Sequence, residues 1–225
     1  MSTEKTVQTP FAIKDCALLV VATGKRAENL RELRDILAAI HSASIYHHFW
    51  GGLLQPRFDD PQFNNDFASW CHYALHDDIL AERLAMIDPT DYEDLESLRR
   101  ELVEVIEDRL DEIQRPEWAK HDQQFHFMRS QIVVFDTRRS IVDPQDLADA
   151  TLTMSVGSVF YHVIDARRRT PKGVDDFRSW LQSFDDDYIE LCGALATVDP
   201  YFLNLNELRQ QLVTVFRNYF RRSEP

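Results

Sequence analysis

Residues 11 to 24, FAIKDCALLVVATG, and residues 125 to 138, FHFMRSQIVVFDTR, are one pattern written twice, 114 positions apart. Held without a gap from 11–50 against 125–164, that offset sets Leu33 on Leu147 and SIYHHFW on SVFYHVI, so that Ser44 meets Ser158 and His48 meets His162. After a loop four residues shorter in the second copy, an offset of 110 aligns NDFASW (65–70) with DDFRSW (175–180) and LESLRRELVEVI (95–106) with LNELRQQLVTVF (205–216). Between them Asp88-Pro89 matches Asp199-Pro200 after a slip of one residue. The copies span residues 11–113 and 125–222, connected by RPEWAKHDQQ. Two copies are too few for an extended array, so the expected arrangement is a pair of helical units related by a pseudo-twofold and packed as one globular body.

Each copy opens on a β-branched or aromatic stretch, LLVVAT (18–23) and QIVVFDT (131–137), that suits a strand. One strand alone is unstable in water, and the equivalent strand of the other copy is its natural partner in a small ribbon. Helical periodicity follows. Leu30, Leu33, Leu37 and Ile40 recur at spacings of three and four, and Pro144 marks the start of the weaker counterpart Leu147, Thr151, Met154. Ser44 to Trp50 reads as a helix closed by Gly51-Gly52, with Ser44 and His48 on one face. The last helix of each copy carries a stripe: Leu95, Leu98, Leu102, Val105, Ile106 and Leu110 in the first, Leu205, Leu208, Leu212, Val215, Phe216 and Phe220 in the second. Burying one such leucine contributes about 1.5–3 kcal/mol, enough for these stripes to be core. The predicted class is mainly α, that is α+β with only a few short strands, close to all-α.

The chain has 225 residues, 44% of them hydrophobic, and its longest apolar stretch, Ala17 to Ala22, is far short of the roughly 20 residues that cross a bilayer. Acidic Glu4 argues against a signal peptide, and Cys16, Cys71 and Cys192 form no CxxC pair, so a soluble cytoplasmic protein with buried thiols is expected. The formal charge is −13, with 23 acidic and 13 basic residues up to Lys120. Such a field repels nucleic acid and anionic membrane, although Arg167 to Arg169 and Arg217, Arg221 and Arg222 offer a local basic patch.

The polar positions present in both copies are the candidate site: Ser44 with Ser158, His48 with His162, Asp66 with Asp176, and Arg99 with Arg209. A carboxylate beside an imidazole fixes its tautomer and equips it for proton transfer. The simpler use is structural, with Asp66 and Asp176 capping the helices that begin at FASW and FRSW and the histidines bonded in the core. The assigned catalytic set and metal set are therefore both none, and no cofactor is expected. ATGKRA lacks the glycine and hydroxyl positions of a phosphate loop, and no nucleophile elbow surrounds Ser155 or Ser158. The aromatic residues Tyr46, Phe49, Trp50, Phe67 and Trp70, with Phe160, Tyr161, Phe177 and Trp180, supply core and, in part, a partner surface.

His47, His48, His72 and His76 invite a metal reading, and ALHDD (74–78) resembles the histidine-aspartate step of the HD phosphohydrolases, which implies a divalent metal held by His48, His76, Asp77 and Asp122. The resemblance covers a few residues, and Gln182 and Asp186 stand in the second copy where the first has His72 and His76. FAIKDCALLVVATGKRAENLRELRD, SIYHHFW, NNDFASW, LAERLAMIDP and LESLRRELVEVIEDRL, continued by GSVFYHVIDARRR, DDFRSW and DPYF, are together similar to a bacterial protein family catalogued as a domain of unknown function. That resemblance implies no activity. The leading expectation is a non-catalytic helical interaction or regulatory protein that binds a protein or small molecule but no nucleic acid or membrane, in an oligomeric state left open. The alternative is an HD-like metal-dependent phosphohydrolase.

Overall fold

The expected strands grow well past the apolar runs that announce them. In the computed structural model, which describes residues 9–55, 61–115, 117–170 and 172–222, β1 is Phe11–Ala27 and β2 is Phe125–Ile141, each of 17 residues. They pair antiparallel as a two-stranded sheet. Backbone pairing does not require apolar side chains, so the ladder continues through the charged flanks. Alternating burial at its ends, Phe11 and Ile13 in, Ala12 out, and likewise Phe125 and Phe127 around His126, shows the period of two. This corrects the all-α expectation. The chain is 56% helical but α+β, with two long strands in place of a few short ones. Glu4 lies outside the described residues.

The chain divides into two compact units whose boundaries fall inside the strands. The first is residues 18–132, and the second is residues up to 17 together with 133–225. The first contains α1 (Leu30–Ala39), α2 (Ser42–Trp50), α3 (Asp66–Tyr73), α4 (Asp78–Ala85) and α5 (Leu95–Glu112). Asn29, Asn65, Asp77 and Asp94 each cap a helix through a side-chain oxygen. Helix α2 ends at Trp50 with Gly51 as its cap, as the sequence predicts, and a 3-10 turn then runs on through Leu54. Helix α5 is the spine, contacting α1, α2 and α4 through buried Leu98, Leu102 and Ile106. Leu95, Val105 and Leu110 are half-buried, so the stripe is narrower than its spacing predicts.

The second unit contains α6 (Leu147–Leu152), begun by a 3-10 turn at Pro144, then α7 (Val156–Val159) and α8 (Ala166–Arg169) joined by a π-helical stretch over Phe160–Asp165. It continues with α9 (Asp176–Leu181), α10 (Ile189–Ala196) and α11 (Leu205–Arg222). Helix α11 meets α6, α7 and α10 and buries Leu205, Leu208, Leu212, Val213 and Phe216.

Each helical set thus receives a strand end from the opposite sequence copy. Phe11 stacks on Phe177 at 5.1 Å in the second unit, and Phe125 stacks on Phe67 at 5.2 Å in the first. The side chain of Thr23 donates to the carbonyl of Phe127 at 2.6 Å, while Thr137 donates to that of Ile13.

Candidate functional site

Helix α2 grips β2 by one residue. The Ser44 hydroxyl donates to the Met128 carbonyl at 2.6 Å, and the Met128 amide donates to His48 Nε2 at 3.1 Å. An amide N–H only donates, so Nε2 is the bare nitrogen and the ring proton sits on Nδ1. That proton is donated to Asp66 Oδ2 at 2.8 Å. In the second unit the Lys14 amide donates to His162 Nε2 at 2.9 Å, and His162 Nδ1 donates to Asp176 Oδ2 at 2.7 Å. Lys14 and Met128 are again 114 positions apart. Both imidazoles are buried, both are locked in one tautomer, and neither keeps a nitrogen lone pair for a substrate or metal.

Two carboxylates expected to cap helices instead orient histidines. Asn65 and Asp175, one position earlier, do the capping, accepting from the amides of Ala68 and Arg178 at 2.9 and 2.8 Å. Arg99 caps the end of α1 through the Leu37 and Ile40 carbonyls, and Arg209 bonds the Met154 carbonyl beyond α6 at 2.7 Å. These arginines stay with their helix ends and do not join the histidines. Ser158 departs from Ser44: it bonds Ser155, whose hydroxyl accepts the Ser158 amide at the start of α7.

Above each His–Asp pair lies a cleft. In the first unit it measures about 470 Å³, with Trp70 and Phe125 in its walls and Asp66 and His47 facing in. The second holds about 400 Å³ between Trp180, Phe11, Tyr161, Asp176 and Arg169. The indole N–H of Trp70 donates to the Gln123 carbonyl at 2.7 Å, and that of Trp180 to Thr9 at 2.8 Å, closing equivalent ends.

His47 stood outside the polar positions shared by both copies because its aligned partner is Tyr161, yet it lines the cleft and bonds Ser130 Oγ at 2.7 Å. Burial, with the neighbouring His48 second, lowers its pKa. The unfolded chain therefore binds a proton more readily than the folded one, and the stability His47 confers is complete above about pH 6.5 and lost as pH falls through the folded pKa. We expect His47→Tyr, which installs the second unit's residue, to flatten this acid loss. Denaturant midpoints of both proteins at pH 8, 6 and 5 measure it, and parallel pH curves would show His47 to be uninvolved.

The metal alternative is not assembled. Asp77 caps α4 through the Leu80 amide and pairs with Arg109 at 2.9 Å, and His76 sits in the preceding turn at φ 54°. Among the described residues the cluster with metal-ligand spacing is His47, His48 and Asp66, which includes neither His76, Asp77 nor Asp122. His48 would have to abandon Asp66 or Met128 to bind an ion. Cys16, Cys71 and Cys192 are free, and burial, then Asp165 and Asp15, pushes the Cys16 thiol up to about 12, where it is inert at neutral pH. No helix among the described residues is long and apolar enough to cross a membrane.

Fold and site define an α+β protein in which two helical sets each hold a strand end by a locked His–Asp pair beneath an open cleft. The chain belongs to the family of unknown function DUF5752, whose model matches residues 8–217. It is similar to OrfY from Thermoproteus tenax, a solved structure, with a TM-score of 0.80 and 27% sequence identity over 96% of this chain and 98% of that one. No curated protein matches it.

Proposed function

We propose that this chain is a non-catalytic interaction protein whose two units are copies of one binding unit, each receiving a partner in the cleft over its His–Asp pair. One observation carries the reading: both ring nitrogens of His48 and of His162 are occupied by the chain's own amides and carboxylates. A general base needs a lone pair aimed at substrate, and a metal ligand needs one aimed at the ion. Here the pair fastens strand to helix, and the aromatic walls above it offer contact area at low entropy cost. Hydrogen bonds that repeat at the 114 spacing support the duplication. The acidic excess favours a protein or small-molecule partner over nucleic acid or membrane, and three free thiols suit a reducing, cytoplasmic setting.

Nitrogen-detected NMR of the histidines at neutral pH should find His48 and His162 as Nδ1–H tautomers, unmoved by Zn²⁺ or Mn²⁺. A metal-induced shift of His48, accompanied by phosphate-ester turnover that His48→Asn removes, would return the chain to the phosphohydrolases.

A further inference from the structure

The two clefts differ in what faces the carboxylate. In the second unit Arg169 lies across it: its guanidinium carbon is 3.8 Å from the centre of the Tyr161 ring, and Nη2 is 3.0 Å from Asp176 Oδ2. The same Nη2 donates to the Tyr161 carbonyl at 2.8 Å, and Nε donates to Asp165 at 2.9 Å. That cleft already holds a guanidinium, provided by its own chain.

Among the described residues the first unit has the seat without the occupant. Asp66 stands where Asp176 does, and the ring of His47 replaces that of Tyr161. Arg169 lies in the loop where the offset changes from 114 to 110, and neither Gln55 nor Asp59, the residues at those two spacings before it, is basic. Among the described residues Asp66 is bonded by His48, and its side chain is 48% exposed against 18% for Asp176. The described lining holds no lysine or arginine; Met128 stands where the second unit has Lys14. Residues 18–132 contain 22 acidic and 12 basic side chains, so a cation approaches down a favourable field.

The geometry points to a guanidinium-binding site in the first unit, with Asp66 as counter-ion and the His47 ring as the flat platform, filled by a free guanidinium compound or by an arginine of a basic partner polypeptide. A carboxylate and an aromatic face are the two features that select a planar delocalised cation. Burial keeps His47 neutral, so the platform does not repel it. This inference rests on the cleft being a binding site, and the two readings fail separately: turnover sinks the first, and lack of cation uptake sinks this one alone.

The full-length protein would be titrated by calorimetry with N-acetyl-arginine methylamide, with its uncharged citrulline counterpart, and with a short peptide carrying one arginine. One equivalent of either arginine probe should bind, and citrulline should bind at least about tenfold more weakly; stronger binding of the peptide identifies a polypeptide source, and equal binding a free ligand. Asp66→Asn, with circular dichroism confirming its fold, should lose the site. Should that variant unfold, Arg169→Ala still decides, because emptying the second cleft should raise the stoichiometry from one to two. Arg57, outside the described residues, is the arginine nearest Asp66 in sequence. Binding seen only after Arg57→Ala would mean that the chain fills its own site and would overturn the proposal. So would wild-type protein that takes up no arginine probe, or that takes up citrulline equally well.

Discussion

Replacing His162 by alanine should lower the unfolding free energy by about 3–5 kcal/mol. Two costs act together. Removing a fully enclosed ring leaves a cavity between Phe11 and Phe177, whose ring centres lie 4.8 and 6.0 Å from it, and large-to-small changes of this kind cost about 2–5 kcal/mol. The Lys14 amide also loses its acceptor inside the ladder, and an unsatisfied buried donor costs about 1–3 kcal/mol. The contributions overlap, which is why the expected total is less than their sum. Urea unfolding followed by tryptophan fluorescence measures it, since Trp180 also stands against Phe11. A loss below about 1 kcal/mol would mean that the histidine is not holding the strand.

Gly157→Ala is expected to cost about 2–3 kcal/mol, the upper part of the roughly 1–3 kcal/mol range for forcing atoms into a filled core. A Cβ at this position would penetrate the Cys16 carbonyl and the Asp15 carboxylate, and the carbonyl belongs to backbone that cannot swing away. The Cys16 thiol already donates to the Gly157 carbonyl at 3.3 Å, a sign of how closely β1 approaches the start of α7. Gly193→Ala, inside α10 with nothing within 4 Å of the added carbon, should go the other way and stabilise by about 0.5–1 kcal/mol. Measured by thermal unfolding, the two should have opposite signs. Equal and small effects would show that the strand and α7 are not in the contact described. The copy alignment argues the reverse at residue 157, because Ala43 is its counterpart and suggests that alanine fits.

That contrast marks how far the amino-acid pattern reaches. Leu98 and Leu208, His48 and His162, and Asp66 and Asp176 were all legible, because helical spacing places side chains on a common face and the 114 and 110 offsets align the two copies. Whether Asp66 caps a helix or orients a histidine was not legible. Both uses need a carboxylate near a helix start, and Asn65, a competent cap one residue earlier, decides it only once the backbone is in place. His47 fell outside the recurring polar set because its counterpart is Tyr161, and only the cleft reveals that either ring serves as a wall.

The sequence by itself determined the helices with their buried stripes, the strand-forming segments and the polar residues that recur at spacings of 114 and 110, since each depends on periodicity and side-chain type along a few turns of chain. Tertiary structure alone decided which strand end enters which helical set, and therefore that Lys14 serves His162 while Met128 serves His48. The physical reason is near-degeneracy. FAI and FHF present the same alternation of buried and exposed positions, so either end fits either set locally, and the choice is made by hydrogen bonds and ring contacts between residues more than fifty positions apart.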